Sequence, residues 1–139
     1  KAMELKFDSE KPIFQQIAEG IEDAVLTGGF PEEGQIPSIT EFSLRYTITP
    51  ATALKGVNLL VEEQILYKKR GVGMFVSPGA RERVRQKRLQ SFTPNFVAAM
   101  VAEAHRLELT AEELSEIVQS EFSGEKADRY TAEKKGVSL

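Results

Sequence analysis

Hydrophobic positions follow helical spacing along the first part of the chain. From Pro12, whose fixed φ angle suits the first turn of a helix, they recur every three or four residues. These positions are Phe14, Ile17, Ala18, Ile21, Ala24 and Val25. The opposite positions include the acidic residues Glu19, Glu22 and Asp23. The pattern predicts an amphipathic first helix with a solvated acidic face, which ends at Gly28-Gly29.

Two further helices are predicted from capping signals. Ser38-Ile39-Thr40-Glu41 has the form of a capping box, so a second helix begins after Ser38 and ends near Arg45. Thr49-Pro50 supplies an N-cap followed by a proline at the first helical position, which predicts a third helix over 49–63. Because only a short turn separates the two helices, the pattern is typical of a helix-turn-helix. The outward positions of the third helix are Ala51, Leu54, Lys55 and Asn58.

A glycine-containing hairpin follows the third helix. The β-favouring runs 65–69 and 74–77 are joined by Arg70-Gly71-Val72-Gly73, whose glycines permit positive φ angles. The alternative is a phosphate-binding loop at Gly71 and Gly73. Such a loop would lie between a strand and the helix whose N-terminal amides bind the phosphate, or would carry a third glycine. Because Val76 stands at that position and Pro78 follows, the pattern favours a basic wing over 65–77.

Positive charge is concentrated around this wing. The chain has 18 basic and 21 acidic residues and a net charge of −3. Residues 1–64 contain 5 basic and 11 acidic side chains, residues 65–90 contain 8 and 1, and residues 91–139 contain 5 and 9. A solvated arginine-rich helix over 81–88 would explain part of the cluster. The other interpretation is a surface that attracts phosphates, and the distribution favours such a nucleic-acid partner.

The C-terminal third carries a second apolar stripe. Pro94 interrupts it, and we expect a break or kink there, with Thr93 capping a fresh segment. Thr110-Ala111-Glu112-Glu113 is another capping box and begins a last helix. Since two helices alone cannot close a core, the stripe predicts a homodimer, and packing back onto the first domain is the alternative. The predicted interface consists of Leu89, Phe92, Phe96, Met100, Ala104, Leu107, Leu114, Ile117 and Val118.

The residue types offer little for catalysis. There is no cysteine, a single histidine at His105 and no cluster of carboxylates, so we expect neither an enzyme nor a metal or cofactor site. No run of about 18 apolar residues occurs, so no membrane partner is expected, and the lack of cysteine fits the cytoplasm. A small-molecule effector could bind between the C-terminal helices. The same aromatic residues are explained equally well as a dimer core, so no effector is named.

Taken in order, these motifs resemble the GntR family of bacterial transcription regulators. The likeness covers residues 12–77. Its landmarks are Pro12-Ile13-Phe14-Gln15-Gln16-Ile17, Gly29-Phe30-Pro31 with Gly34, Ile36-Pro37-Ser38 with Glu41, Thr49-Pro50-Ala51-Thr52, and Gly71-Val72-Gly73-Met74-Phe75-Val76. The short C-terminal part is similar to the YtrA subfamily, whose C-terminal helices dimerise. The expected fold is α+β, with a winged helix-turn-helix of three helices and a hairpin over 1–77, an all-α dimerisation region over 78–122 and a polar tail over 123–139.

The resemblance implies a repressor that binds an inverted-repeat operator as a homodimer, with the third helix in the major groove and the wing toward the minor groove. The expected DNA contacts are Ser38, Thr40, Thr49, Ala51, Thr52, Lys55, Lys68, Lys69, Arg70, Gly71 and Gly73. The arginines common on the family's recognition helix are missing here: Pro50 and Leu54 take their places, and Lys55 stands where the YtrA branch often has arginine. Lysine is a point-charge donor, whereas arginine forks onto guanine, so guanine reading should be weaker.

The shortage of cations on the third helix also supports a different function. The chain could be a winged-helix module whose basic hairpin binds an acidic protein rather than specific DNA. Selection from random DNA separates the two hypotheses, because a protein-binding module would enrich no palindrome.

Overall fold

The computed structural model describes Met3, Leu5, Phe7 and residues 10–124. The helices are α1 (Ile13–Thr27), α2 (Ile39–Tyr46), α3 (Pro50–Glu62), α4 (Ala80–Phe92), α5 (Ala98–Arg106) and α6 (Ala111–Ser123). The strands are β1 (Leu66–Lys69) and β2 (Gly73–Val76), and a π-helical turn covers Thr93–Val97. The predicted α+β winged helix-turn-helix with a helical C-terminal region is confirmed.

The chain folds as two compact units that divide between Gln90 and Ser91. The first unit therefore extends past residue 77, where the sequence pattern placed the end of the DNA-binding domain. The extension contains α4 as far as Gln90, and this part of the helix is tied to the winged helix by hydrogen bonds from its basic side chains.

Helix α1 packs against α3 to form the centre of the first unit. The predicted stripe of α1 is buried at Ile17, Ala18, Ile21, Ala24 and Val25. A Cβ added at Gly56 of α3 would lie 2.7 Å from the carbonyl oxygen of Phe14, so this glycine allows the two helices to approach closely. The expected solvated acidic face is wrong at one position, because Glu22 is only 2% exposed.

The two predicted caps of the helix-turn-helix are present. Ser38 and Glu41 form a capping box in which the Ser38 amide donates to Glu41 Oε1 at 2.7 Å and the Glu41 amide donates to Ser38 Oγ at 3.1 Å. Between α2 and α3 the backbone of Thr47 has a φ of 54°. Ser43 Oγ donates to the carbonyl oxygen of Ile48 at 2.5 Å, which holds the turn closed.

The wing is an antiparallel hairpin with the register Leu66↔Val76, Tyr67↔Phe75, Lys68↔Met74 and Lys69↔Gly73. The segment just before α2 pairs with its second strand. Gln35 forms a β-bridge with Phe75, and the Ile36 amide donates to the carbonyl oxygen of Met74 at 3.0 Å. Leu66 and Val76 are buried, so the base of the wing belongs to the core.

The second unit contains α5 and α6. A break or kink at Thr93 was expected, with Thr93 capping a fresh segment. The cap is wrong: the residues around Pro94 form the π-helical turn, whose N-cap residue, Phe92, has helical φ and ψ angles of −64° and −46° and makes no side-chain cap hydrogen bond. A wider turn accommodates a proline that cannot donate to the preceding turn. The predicted Thr110–Glu113 capping box is present. The predicted polar tail at 123–139 lies outside the described residues from 125 onward.

Candidate nucleic-acid interface

The first two turns of α3 present a mostly uncharged surface. Its exposed members are Ala51, Leu54, Lys55 and Asn58, as the helical spacing predicted. Leu54 is 42% exposed, although it is large and apolar. The opposite face of α3, with Ala53, Gly56, Val57 and Leu60, is buried. Of these four exposed residues, Lys55 and Asn58 carry side-chain hydrogen-bonding groups.

The hydroxyl groups predicted to meet DNA have different roles. Thr49 Oγ1 accepts from the Thr52 amide at 3.2 Å and donates to Thr52 Oγ1 at 2.9 Å, so Thr49 acts as the cap of α3. Ser38 Oγ accepts from the Glu41 amide and still has its own proton to donate. Thr40 is exposed on the first turn of α2. Ser38, Thr40 and Thr52 are thus the hydroxyls suited to donate to a phosphate oxygen.

Lys55 lies against an aromatic ring of α1. Its Nζ is 4.2 Å from the centroid of the Phe14 ring, which is a cation–π contact. One shallow groove of about 410 Å³ is lined by Phe14, Ala51, Leu54, Lys55, Asn58, Leu59 and Glu62. The groove is largely apolar. Lys55, which was expected to contact DNA, forms part of its wall.

Three cations lie at the tip of the wing. Lys68, Lys69 and Arg70 are exposed, and none of them forms an ion pair with any residue that the structure describes. Gly71 follows with a φ of 76° and Gly73 with a φ of 146°. Gly73 is also crowded by Gln35, whose Nε2 donates to the carbonyl oxygen of Val72 at 3.0 Å.

One face of the wing is stiffened by stacked side chains. The rings of Tyr67 and Phe75 stack with their centroids 5.8 Å apart, and Lys69 Nζ lies 4.4 Å from the Phe75 centroid. Tyr67 donates its hydroxyl to Glu33 Oε1 at 2.7 Å, and this hydrogen bond raises the pKa of Tyr67. Lys69 is therefore held on the wing, while Lys68 and Arg70 project from it without such a contact in the described part of the chain.

The basic residues of α4 bind within the protein. Arg81 Nε donates to the carbonyl oxygen of Leu26 at 3.0 Å, and Arg83 Nε donates to that of Gln64 at 3.1 Å. Lys87 pairs with Glu22 and Glu63, and Arg88 pairs with Glu22 and Asp23. The basic residues that are clustered in the sequence therefore form two groups. Those of the wing are open to a partner, and those of α4 hold the fold together.

Two contributors to this surface were missed by sequence reasoning. Phe14 was assigned to the buried stripe of α1, and its position at the first turn was the available signal that it could reach another helix. Nothing in the sequence indicated that Gln35 contacts the wing tip, because this contact joins residues far apart in the chain.

A second candidate surface lies in the C-terminal unit. An apolar groove of about 520 Å³ runs between α5 and α6. It is lined by Met100, Glu103, Ala104, Leu107, Leu109, Leu114, Ile117, Val118, Glu121 and Phe122. The predicted interface residues Phe92 and Phe96 are also exposed, with their rings 5.8 Å apart. Of the predicted interface set, Ala104 is the member that the unit itself buries.

Metal and membrane sites were not expected. Among the described residues, no cluster of histidine and carboxylate side chains could hold a metal ion. Of the helices the structure describes, none combines the length and apolar character needed to cross a bilayer.

Comparison with known proteins shows which regulators the chain resembles. No protein-family model matches the chain. A crystal structure of a GntR-family regulator from Bacteroides thetaiotaomicron is 28% identical and has a TM-score of 0.65, covering 81% of this chain and 97% of that one. The chain is therefore similar to GntR-family regulators over most of its length. It is also 30% identical over 105 residues to the transcriptional repressor NagR of Bacillus subtilis.

The match to NagR covers 76% of this chain but 43% of NagR, so the chain spans less than half the length of that relative. These relatives are transcription regulators, a non-enzymatic class, so the expectation of a non-enzymatic function is confirmed. Two structures share the fold at lower identity. YtrA from Sulfolobus acidocaldarius is 22% identical with a TM-score of 0.52, and the match covers 67% of this chain and 99% of that one. The AraR DNA-binding domain in complex with an operator is 24% identical with a TM-score of 0.50, and the match covers 55% of this chain and 99% of that one. Assignment to the YtrA subfamily stays a prediction.

Proposed function

We propose that the chain is a DNA-binding transcription repressor that acts as a homodimer on an inverted-repeat operator. The observation that carries this proposal is the wing tip, where Lys68, Lys69 and Arg70 face no acidic side chain of the described chain beside an exposed helix-turn-helix. Phosphate contacts of this kind supply most of the attraction between proteins and DNA. NagR is named a repressor, which supports the sign of regulation. A DNA partner also agrees with the predicted cytoplasmic location.

The contacts divide by element. The hydroxyls of Ser38, Thr40 and Thr52 donate to phosphates at the edge of the major groove, while Ala51 and Lys55 face the groove itself. The wing follows the backbone beside the minor groove, where Gly71 and Gly73 let the main chain approach. Thr49 contributes by capping α3 rather than by touching DNA.

Dimerisation supplies the symmetry of the operator. The exposed apolar groove of the C-terminal unit is covered by the same groove of a second copy, which is the assembly expected of YtrA-like proteins. Two recognition helices in successive major grooves lie about 34–36 Å apart, which sets the separation of the half-sites. The groove is assigned to the dimer, so no effector is proposed for it.

A salt titration with a wing variant tests the proposal. After an operator is selected from random DNA, its affinity is measured by fluorescence anisotropy at several salt concentrations. The logarithm of the binding constant should fall linearly with the logarithm of salt concentration, by about 0.9 for each phosphate contact. Lys68→Glu with Arg70→Glu should abolish binding. The matched control is Arg85→Glu with Arg106→Glu, which changes the net charge equally within two surface ion pairs and should retain binding.

A flat salt dependence, or equal loss in both double variants, would contradict the role of the wing. The second candidate function is binding of an acidic protein, which the scarcity of cations on α3 favours. It predicts that selection enriches no palindrome, whereas the repressor proposal requires one.

A further inference from the structure

The outward stripe of α3 has a composition that limits what it can read. Ala51 and Leu54 occupy its first two turns and have no side-chain hydrogen-bonding atoms. They are followed by Lys55, whose ammonium group lies over the Phe14 ring. A lysine drawn toward that ring is poorly placed to donate to guanine O6 and N7, and it lacks the fork of an arginine. Polar readout of G·C pairs by this helix is therefore weak.

The major groove of DNA has one apolar feature that such a helix can recognise. Each thymine presents a C5-methyl group beside its O4 acceptor, whereas the edges of guanine, cytosine and adenine are polar. Leu54 is 42% exposed and shares with Ala51 an apolar groove of about 410 Å³. A groove of this chemistry gains by burying methyl groups and loses by burying unpaired base donors or acceptors.

We propose that Ala51 and Leu54 recognise thymine methyl groups, so that the operator half-site is rich in A·T pairs where α3 enters the major groove. This inference rests on the proposed DNA-binding function and names the class of sequence that it reads. DNA is the occupant that fits, because the three wing cations belong to the same folded unit as the apolar stripe. The cations hold the backbone, and the apolar side chains select the bases.

The test removes one methyl group at a time from the selected operator. Deoxyuridine replaces thymidine at each position of a half-site in turn, which deletes the C5-methyl group and leaves the pairing unchanged. At positions read by α3, each replacement should weaken binding about fourfold, the factor that corresponds to one buried methyl group. Replacement in the sequence flanking the operator should have no effect.

A variant of the protein tests which side chain contacts the thymine methyl group. In Leu54→Ala, binding should no longer distinguish thymidine from deoxyuridine at the position that Leu54 contacts, because the two changes remove the same contact. The matched control is Leu44→Ala, which truncates an exposed leucine on α2 and should keep the discrimination.

The outcomes separate the two levels of the proposal. A selected operator with G·C pairs at the α3 positions, or one in which every deoxyuridine replacement is neutral, overturns thymine recognition while DNA binding stands. Failure to select any DNA overturns the proposed function and thymine recognition with it.

Discussion

A buried carboxylate joins three helices of the winged-helix unit at the scale of single residues. Glu22 of α1 accepts from Lys87 Nζ at 2.5 Å and from Arg88 Nη2 at 3.0 Å, and Lys87 also reaches Glu63 at the end of α3. Burial by itself lowers the pKa of Lys87, but its hydrogen bonds to Glu22 and Glu63 outweigh burial and raise that pKa. The pairing is what retains a charged residue in the core.

Replacing Glu22 tests the strength of this junction. Glu22→Gln removes the negative charge and leaves Lys87 and Arg88 facing a neutral amide. The free energy of unfolding should fall by about 2 kcal/mol, less than for a fully buried pair because both cations are partly solvated. The measurement is urea denaturation. The control is Glu19→Gln in the same helix, which breaks an exposed ion pair with Lys11 and should lower the free energy of unfolding by less than about 1 kcal/mol. Equal losses of stability in the two variants would disprove the special role of Glu22.

At the scale of elements, the start of α4 is held by a carboxylate from a distant connector. Glu32 Oε1 accepts from the Gly79 amide at 2.9 Å and Glu32 Oε2 accepts from the Arg81 amide at 3.1 Å. These amides lie at the N-terminal end of the helix, where backbone donors lack partners within the helix. The two backbone hydrogen bonds, aided by the nearby arginines, lower the pKa of Glu32 below its ordinary value of 4.5.

The lowered pKa predicts the direction of an acid-induced change. A carboxyl whose pKa is lower in the folded state stabilises the fold above its unfolded pKa, and that contribution is lost as the pH falls through the folded value. The start of α4 should therefore loosen only below about pH 4.5. In an NMR titration the Gly79 and Arg81 amide signals should shift in this range, and Glu32→Gln should abolish the transition. Glu82→Gln, on α4 itself, should leave it unchanged; a transition that survives Glu32→Gln would assign it to another group.

At the scale of the whole molecule, the proposed homodimer depends on the apolar surface of the C-terminal unit. Phe96 is 63% exposed, and Phe92, Met100 and Ile117 are exposed as well. Large apolar side chains exposed together on a small helical unit mark a surface for association. In the proposed assembly, a homodimer covers this surface and presents two winged helices to one operator.

A charge placed in this surface should separate the subunits. Phe96→Asp changes both copies at once, so the dimer dissociation constant should rise by about a hundredfold or more, given the apolar area of two phenylalanines. Sedimentation equilibrium measures the change. Leu44→Asp is the matched control, because Leu44 is an exposed apolar residue on α2 and 78% exposed. It should leave the dimer intact, and a wild-type chain that sediments as a monomer would refute the assembly.

Local signals in the sequence determined most of the architecture. The capping boxes at Ser38 and Thr110, and Pro50 after Thr49, were read correctly because a cap bonds only to residues of its own first turn. The hairpin was predictable for the same reason, since Gly71 and Gly73 have the positive φ angles that the turn needs. The cap expected at Thr93 is wrong because a local rule says that proline disrupts an α-helix, not that a π-helical turn will accommodate it.

Tertiary structure alone decided which charges are available to a partner. In the sequence, the cations of the wing and those of α4 form one cluster, and Glu22 belongs to a polar face. Only packing brings Glu22 to Lys87 and Arg88 and places Lys55 over Phe14, because these pairs join residues far apart in the chain. Helical periodicity determined which side chains face outward, but an ion pair depends on distances between helices, which no local pattern contains.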